Sequence, residues 1–275
     1  MSEDARLAYL GGLFDLRGKG AIVTGGAGGL GRTIGGALAR AGASVTLLDI
    51  DPDKLAAVQQ SLADEGVAVK TAAADITDAD ELDAAFAAAA ADGGLHIVFA
   101  NAGISAGIGP KLKSGRIATI DPAAWQRVVD INLTGALNTV ASASRHIDDG
   151  YGRVIVTSSL AGVRADPMVG YAYAATKSGV LGIVRNAALE LAPRGILVNA
   201  IAPGLFHTGI RANNPTAAAM TADFERGSAI GRGAEMPELE GLALYLASPA
   251  SSYVTGATIS IDGGAQHAGA NVVEI

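Results

Sequence analysis

The sequence predicts an α/β protein with a doubly wound, mostly parallel seven-stranded sheet and helices on both faces. Short apolar runs alternate with longer segments of helical periodicity along the whole chain. Most of these runs are continuously apolar, which is typical of parallel strands that helices cover on both sides. The 275 residues contain neither a linker nor an internal repeat, so we expect a single domain.

The apolar runs predict strands at residues 21–24, 44–49, 67–73, 96–101, 153–158, 197–201 and 258–262. Helices are predicted between them, at residues 31–41, 52–64, 78–91, 122–147, 171–191 and 238–246. Residues 205–237 fit no element of the sheet. Because a long irregular insertion in a compact domain is usually functional, we predict that this segment is a lid over the substrate.

Composition excludes several classes of function. The formal net charge is −7 and no basic stripe is present, so we expect no nucleic-acid partner. The chain has no cysteine, which excludes disulfides and thiolate metal sites. The first 14 residues lack a signal pattern, and no stretch reaches ~18 uninterrupted apolar residues, so we expect no membrane span and a cytoplasmic location.

The first predicted strand runs directly into a glycine-rich segment, TGGAGGLG at residues 24–31, before a predicted helix. Glycines let the backbone turn sharply and approach a pyrophosphate, and the helix N-terminus offers free N–H groups. A flexible strand–helix turn is the alternative. The position directly after an apolar strand favours a dinucleotide site, with Gly25, Gly29, Leu30 and Gly31 as its binding residues.

The second predicted strand closes with Asp49, about 20 residues further on. A carboxylate there accepts hydrogen bonds from the adenosine ribose, although Asp49 could instead start the turn before Pro52. The carboxylate would repel the 2′-phosphate of NADP, and Ile50 offers no compensating cation. Arg32, the nearby cation, should point along its helix, so the sequence predicts NAD as the cofactor.

These motifs, together with several that follow, resemble the short-chain dehydrogenase/reductase family in its single-domain form. The resemblance covers residues 13–264 and consists of motifs in a fixed order: the glycine segment, Asp75, Asn101-Ala102-Gly103, Asn132, Ser159, Tyr173-x-x-x-Lys177, Pro203-Gly204 with Thr208, and Asp262-Gly263-Gly264. Two positions depart from the family pattern. Ala100 stands where asparagine is usual, and Ser159 lies one residue further from Tyr173 than is commonest.

The resemblance implies a Rossmann fold and a role for each matching position. Asp75 would bond the adenine through its side chain, and Ile76 would do so through its backbone. Asn101 would stabilise the central strands, and Ala102 and Gly103 would line the cofactor. The nicotinamide end would be held by three further residues, which are Pro203, Gly204 and Thr208.

Tyr173 and Lys177 are the predicted acid–base pair. Transfer of a hydride to or from a carbonyl carbon needs a group that exchanges a proton with the oxygen. A free tyrosine has a pKa near 10, and a nearby cation favours its phenolate form. Tyr173 and Lys177 are spaced i, i+4 on a predicted helix, so they lie on one face. Tyr171 lacks such a partner, because its i+4 residue is Ala175.

Ser159 is predicted to bond the substrate oxygen from the carboxyl edge of the sheet. Ser158 is the competing candidate, and the family pattern favours Ser159. Asn132 lies inside a helical run, where asparagine is unfavourable. It either kinks or caps the helix or, as the resemblance implies, supports a water-held proton path to Lys177.

We therefore predict an NAD-dependent oxidoreductase that interconverts a secondary alcohol and a ketone. An epimerase or dehydratase on the same scaffold and a catalytically silent NAD-binding protein are the alternatives. The four histidines show no metal-ligand spacing, so we expect no metal. Whether His207 or Arg211 contacts the substrate stays open. The resemblance implies a homotetramer with contacts through residues 122–147 and 171–191 and the last strand.

Overall fold

The computed structural model describes residues 1–105, 107–207, 221–222 and 224–267. Seven parallel strands form one sheet in the order β3-β2-β1-β4-β5-β6-β7. The strands are β1 Gly20–Thr24, β2 Ser44–Asp49, β3 Lys70–Ala73, β4 Ile97–Ala100, β5 Gly152–Thr157, β6 Ile196–Pro203 and β7 Thr258–Ile261. The strand order reverses between β1 and β4, which is where doubly wound sheets bind ligands. The predicted Rossmann-type fold class is confirmed.

The helices lie in the connections and at the N-terminal end. They are α1 Glu3–Phe14, α2 Gly29–Arg40, α3 Pro52–Asp64, α4 Ala79–Ala91, α5 Pro122–Val129, α6 Gly135–His146, α7 Leu160–Val163, α8 Tyr171–Leu191 and α9 Glu240–Ala247. A π-helical turn at Asp130–Thr134 joins α5 to α6 where the sequence predicts one continuous helix. Within the described ranges, no helix is long and apolar enough to cross a membrane.

The third strand is shorter than predicted. The sequence predicts one strand over residues 67–73, but pairing with β2 begins only at Lys70, opposite Thr46. Val67 and Val69 are buried in the core without pairing to β2. The carbonyl of Val69 accepts a hydrogen bond from the side chain of Gln59 instead, at 2.8 Å. Apolar residues are therefore buried before the first residue of this edge strand, and the sequence pattern overestimates the length of the strand.

Helices cover both faces of the sheet. Side chains on one face, such as Ile22 and Val98, pack in a cluster with Phe86 of α4. Their neighbours along the strands, such as Val23, pack on the other face with Leu38 of α2. Each fully buried aliphatic side chain contributes about 1.5–3 kcal/mol, so these two apolar layers are the main stabilising term. Because all strands are parallel, the segments that follow them converge on one edge, called the carboxyl edge below.

Candidate active site

Particular glycines of the glycine segment are packed too tightly for a side chain. Gly25 has φ +66°, and a Cβ atom built on it would lie 2.8 Å from the Cα atom of Ala102. A Cβ atom on Gly31 would lie 2.1 Å from the carbonyl oxygen of Gly25. Helix α2 starts at Gly29. Its N-cap residue is Gly28, which has no side chain that could accept a hydrogen bond from the first N–H groups of the helix. The first N–H groups of α2 can therefore bind an anion such as a diphosphate.

A cleft of about 410 Å³ opens beside this segment at the carboxyl edge. It is lined by Gly25, Asp49, Ile50, Ala74, Asp75, Ile76, Thr77, Ala102, Gly103, Ile104, Arg127 and Ile131. Nine of the predicted cofactor-binding positions lie at this cleft or in the adjacent glycine segment. Arg127 and Ile131 were not predicted, because neither belongs to a motif and both reach the cleft through the placement of their helix.

Two carboxylates project at this cleft. Asp49 accepts hydrogen bonds from the backbone N–H of Ala27, at 3.1 Å, and of Asp51, at 3.3 Å. Asp75 accepts hydrogen bonds from the backbone N–H and the hydroxyl of Thr77, both at 2.8 Å. A carboxylate has about four lone-pair positions, so each retains acceptor capacity for a ligand hydroxyl or amino group. The backbone carbonyl of Ile76, in contrast, accepts a bond from Asn138 at 3.0 Å.

Asn101 connects the ends of three strands. Its backbone N–H donates to the Thr24 hydroxyl at 3.0 Å, and its side-chain amide donates to the Thr24 carbonyl at 3.1 Å. Its side-chain oxygen accepts a hydrogen bond from the hydroxyl of Thr157 at 3.2 Å. These contacts hold β1, β4 and β5 together beside Ala102 and Gly103, as the family resemblance implies for this position.

Tyr173 and Lys177 lie on the first turns of α8, with the Lys177 Nζ atom 5.8 Å from the centre of the Tyr173 ring. Lys177 is 5% exposed, and its ammonium donates a hydrogen bond to the Thr157 carbonyl at 2.7 Å. Burial lowers the pKa of Lys177 to about 8. A Cβ atom on Gly103 would lie only 3.4 Å from the Lys177 Nζ atom, so the lysine borders the cofactor cleft.

Asn132 is buried in the π-helical turn. Its side-chain oxygen accepts a hydrogen bond from the N–H of Ile104 at 2.8 Å, and its amide donates to the Ile104 carbonyl at 2.9 Å. Asn132 thus fixes the segment that follows Gly103. The helix irregularity considered as one alternative is present, and π turns of this kind are frequent at functional sites. The proton-path role of Asn132 stays a prediction.

The two candidate serines differ in their environments. Ser158 is 2% exposed, and its hydroxyl donates to the Lys177 carbonyl at 2.6 Å. Ser159 is half-buried and caps α7 by accepting a hydrogen bond from the N–H of Ala161 at 3.2 Å. The Ser159 hydroxyl therefore keeps its hydrogen to donate to a substrate oxygen. Helix α7 was not predicted, although a serine before a short helix-forming run is an N-terminal signal.

At the other side of the site, Pro203 ends β6 opposite Ile261. The Gly204 N–H donates to the Ile261 carbonyl at 2.9 Å, and a Cβ atom on Gly204 would lie 2.8 Å from the Phe224 ring. The two ends of the predicted lid segment lie side by side, because Phe206 forms a parallel bridge with Ala234. Thr208 and Arg211 lie outside the described residues, and the lid function stays a prediction.

Comparison with known proteins agrees with this architecture. A family model described as enoyl-(acyl carrier protein) reductase matches residues 25–266. The chain is 38% identical over 251 residues to a 3-alpha-(or 20-beta)-hydroxysteroid dehydrogenase of Mycobacterium tuberculosis, covering 90% of each chain. It is 37% identical over 250 residues to a cis-4-hydroxycyclohexanecarboxylate dehydrogenase of Sinomonas cyclohexanicum, covering 89% of this chain and 95% of the relative.

Among solved structures, a short-chain type dehydrogenase/reductase from Mycobacterium ulcerans superimposes with a TM-score of 0.84 at 34% identity, covering 92% of both chains. The chain therefore belongs to the short-chain dehydrogenase/reductase family, and it is an oxidoreductase. The tightly packed glycines, the start of α2 without a side-chain cap, and the cleft with its two carboxylates fit a nicotinamide dinucleotide, the cofactor type of such dehydrogenases.

Proposed function

We propose that this protein is an NAD-dependent dehydrogenase that interconverts a secondary alcohol and a ketone. The observation that carries the proposal is the buried Lys177 ammonium, held by Thr157 beside Tyr173 and at the wall of the cofactor cleft. This arrangement supports a role for Tyr173 as the phenol that exchanges a proton beside a bound nicotinamide ring. The presence of both Tyr173 and Lys177 also disfavours a catalytically silent binding protein.

The residues that would hold NAD are distributed along the carboxyl edge. The segment from Gly25 to Gly31 and the start of α2 bind the diphosphate, and Asp49 binds the adenosine ribose. Asp75 and Ile76 face the adenine. When bound, the nicotinamide accepts a hydride from the alcohol carbon or returns one to the ketone. The residues proposed to hold its end of the cofactor are Ala102, Gly103, Pro203, Gly204 and Thr208.

Tyr173 exchanges the proton in the proposed reaction. In the oxidation direction its phenolate takes the proton of the substrate hydroxyl, and in the reduction direction its phenol returns that proton to the oxygen. Lys177 favours the phenolate, because an ammonium in a poorly solvated site attracts a negative charge more strongly than in water. The Ser159 hydroxyl donates a hydrogen bond to the same substrate oxygen and stabilises charge that develops on it.

The preference for NAD over NADP rests on Asp49 and on the pairing of two cations, Arg32 and Lys54, with other groups. Two unit charges about 4 Å apart repel by about 4 kcal/mol at an effective dielectric near 20, so a 2′-phosphate beside Asp49 is unfavourable. Arg32 does not offset this repulsion, because its guanidinium pairs with Glu65 and Ser61 on α3. Lys54 pairs with Asp51 at 2.8 Å.

We propose a ring-bearing secondary alcohol as the substrate class. The two relatives described above are named for a hydroxysteroid and a hydroxycyclohexanecarboxylate, and both names place the hydroxyl group on an aliphatic ring. The test is a nicotinamide absorbance assay with NAD or NADP and a panel of cyclohexanols, hydroxysteroids and open-chain secondary alcohols. We expect reduction of NAD with ring alcohols. Turnover of an enoyl thioester alone, without oxidation of any alcohol, would contradict the proposal.

The oligomer is also a proposal, namely a homotetramer that uses α5, α6, α8 and β7 as contact surfaces. Leu137 on α6 is 50% exposed and Leu189 on α8 is 80% exposed in the single chain, and contact with a second copy would cover such apolar side chains. Light scattering should return the mass of four chains at micromolar concentration, and a monomer mass would refute the assembly.

A further inference from the structure

We propose that Arg127 recognises the adenine ring of the dinucleotide, with its planar guanidinium stacked on the face of the base. The inference rests on the proposed NAD-dependent function and adds a residue that the motifs of the sequence did not indicate. Its starting point is the position of Arg127 on the wall of the same cleft that contains Asp49 and Asp75.

Helix α5 forms this wall from outside the sheet. Arg127 lies in the last turn of α5, and Ile131 lies one turn further along, in the π-helical turn. Both residues line the cleft, as does Ile104, whose backbone is held at both polar atoms by Asn132. The wall that carries Arg127 is thus tied to the segment after β4, and its position relative to the cleft is fixed.

The side chain of Arg127 is also available to bind a ligand. Within the described ranges its guanidinium has no hydrogen-bond or ion-pair partner, whereas Arg32 pairs with Glu65 and Arg145 pairs with Asp83. Ordering a free arginine side chain costs up to about 2 kcal/mol in rotamer entropy, so an exposed arginine takes one position only when a partner compensates for that loss. A ligand in the cleft would be such a partner.

The other groups in the cleft indicate which part of the dinucleotide would lie against Arg127. Asp49 and Asp75 supply acceptors for ribose hydroxyls and an exocyclic amine, and the start of α2 takes the diphosphate. The remaining lining around Arg127 is largely aliphatic and suits a flat ring; it includes Ile50, Ile76, Ile104 and Ile131. A guanidinium stacks well on an aromatic face, whereas an ammonium lacks the plane to do so.

The test is calorimetric titration of the purified protein with NAD, AMP and nicotinamide mononucleotide. Arg127→Ala should weaken binding of NAD and of AMP by about tenfold, the size of one base-stacking contact. Binding of the mononucleotide, which lacks adenine, should be unchanged. Arg127→Lys keeps the charge but not the plane, so its affinities should stay close to those of Arg127→Ala. The control is Arg185→Ala, a change of an exposed arginine on α8 outside the cleft, and it should bind all three ligands like the wild type.

The possible outcomes separate this proposal from the one on which it rests. Unchanged AMP affinity in Arg127→Ala, in a protein whose wild type binds NAD, would overturn the stacking role alone. Full recovery in Arg127→Lys would show a purely ionic contact and would also overturn it. Wild-type protein that binds neither NAD nor AMP would overturn both proposals. Steady-state assays should show a raised KM for NAD with an unchanged kcat.

Discussion

In the described part of the chain, tyrosine rings contact cations at opposite edges of one sheet. At the amino edge, the Arg153 guanidinium lies 4.3 Å from the centre of the Tyr151 ring, and the Lys19 Nζ atom lies 4.1 Å from the same centre. At the carboxyl edge, the Lys177 Nζ atom lies 5.8 Å from the centre of the Tyr173 ring. Arg153 and Lys177 are each 5% exposed. The cation therefore lies closer to the ring in the amino-edge pair, while the buried cations of the two pairs are equally exposed.

The chemistry of the groups distinguishes the two pairs. The Tyr151 hydroxyl donates to the Ala247 carbonyl at 2.8 Å, and burial raises the pKa of Tyr151. The buried cation of this pair, Arg153, is a guanidinium that does not exchange protons in proteins. Burial lowers the pKa of Lys177 to about 8, and this lysine borders the cofactor cleft. A tyrosine beside a cation therefore indicates chemistry only where a ligand can reach it, and the topology of the sheet decides that.

The largest expected effect comes from removing each tyrosine hydroxyl in turn. Tyr173→Phe should lower kcat by about 10²–10⁴-fold with nearly unchanged affinity for NAD, because the phenol acts only in the reaction. Tyr151→Phe should keep kcat and lose about 1 kcal/mol of stability, the contribution of one hydrogen bond. Steady-state kinetics and calorimetric binding check both. More than a tenth of wild-type activity in Tyr173→Phe would remove the basis for treating the two pairs differently.

Asp49 gives the next largest effect. The wild type should prefer NAD over NADP by at least about 10²-fold in kcat/KM, because of repulsion between the carboxylate and the 2′-phosphate. Asp49→Ser should reduce this preference. Arg32→Ala is the matched control and should leave the preference nearly unchanged, since Arg32 pairs with Glu65. Comparable efficiency of the wild type with both cofactors would mean that Asp49 does not face the ribose.

Ser158 and Ser159 are adjacent in sequence, and we expect one to act in the reaction and the other to stabilise the fold. Ser159→Ala should lower kcat by about 10²-fold, as expected for loss of a donor to a developing oxyanion. Ser158→Ala should leave kcat nearly unchanged but destabilise the fold by about 1 kcal/mol, because the buried hydrogen bond to the Lys177 carbonyl is lost. Kinetics and thermal melting separate the two effects. The reverse pattern would identify Ser158 as the reacting serine.

Lys177 should reduce stability at neutral pH. Its pKa is about 8 in the folded protein against 10.5 in the free side chain, so below pH 8 the buried charge costs about 3 kcal/mol. Between about pH 8 and pH 10.5 the unfolded chain binds more protons than the folded one, and stability should rise with pH. Inactive Lys177→Met should therefore melt above the wild type at pH 7, after allowing about 1 kcal/mol for the lost bond to Thr157.

The difference between these two melting temperatures carries the test of the Lys177 prediction. It should shrink as the pH approaches 10, because only the wild type contains the titrating group. A lower melting temperature for Lys177→Met at pH 7, or a difference that does not change with pH, would contradict the inference that Lys177 is a costly buried charge.

The sheet could be predicted because its strands are continuously apolar, and β2, α3 and α8 end where the sequence pattern ends. The pattern overestimated the length of β3, since Val67 and Val69 are buried without strand pairing. It also missed α1, none of whose side chains is buried, so no apolar face marks the helix. The π turn at Asp130–Thr134 is set by tertiary contacts of Asn132 with Ile104, which are 28 residues apart.

The site was predictable where a motif combines residue types at fixed spacing, as in the glycine segment and the Tyr173–Lys177 pair. It was not predictable where the decisive contact is to a backbone atom far along the chain. The Thr157 carbonyl that holds Lys177 and the Lys177 carbonyl that engages Ser158 are examples. Arg127 reaches the cleft only through the placement of α5, so no local pattern marked it.

The central claim is that hydride leaves a secondary alcohol carbon for NAD while Tyr173 takes the hydroxyl proton. The most direct measurement uses a cyclohexanol substrate deuterated at the carbinol carbon and follows the label by mass spectrometry. Wild type and Tyr151→Phe should transfer one deuterium to the cofactor, and Tyr173→Phe should bind NAD and transfer almost none. Label released to solvent by the wild type, or equal transfer by both tyrosine variants, would contradict the account.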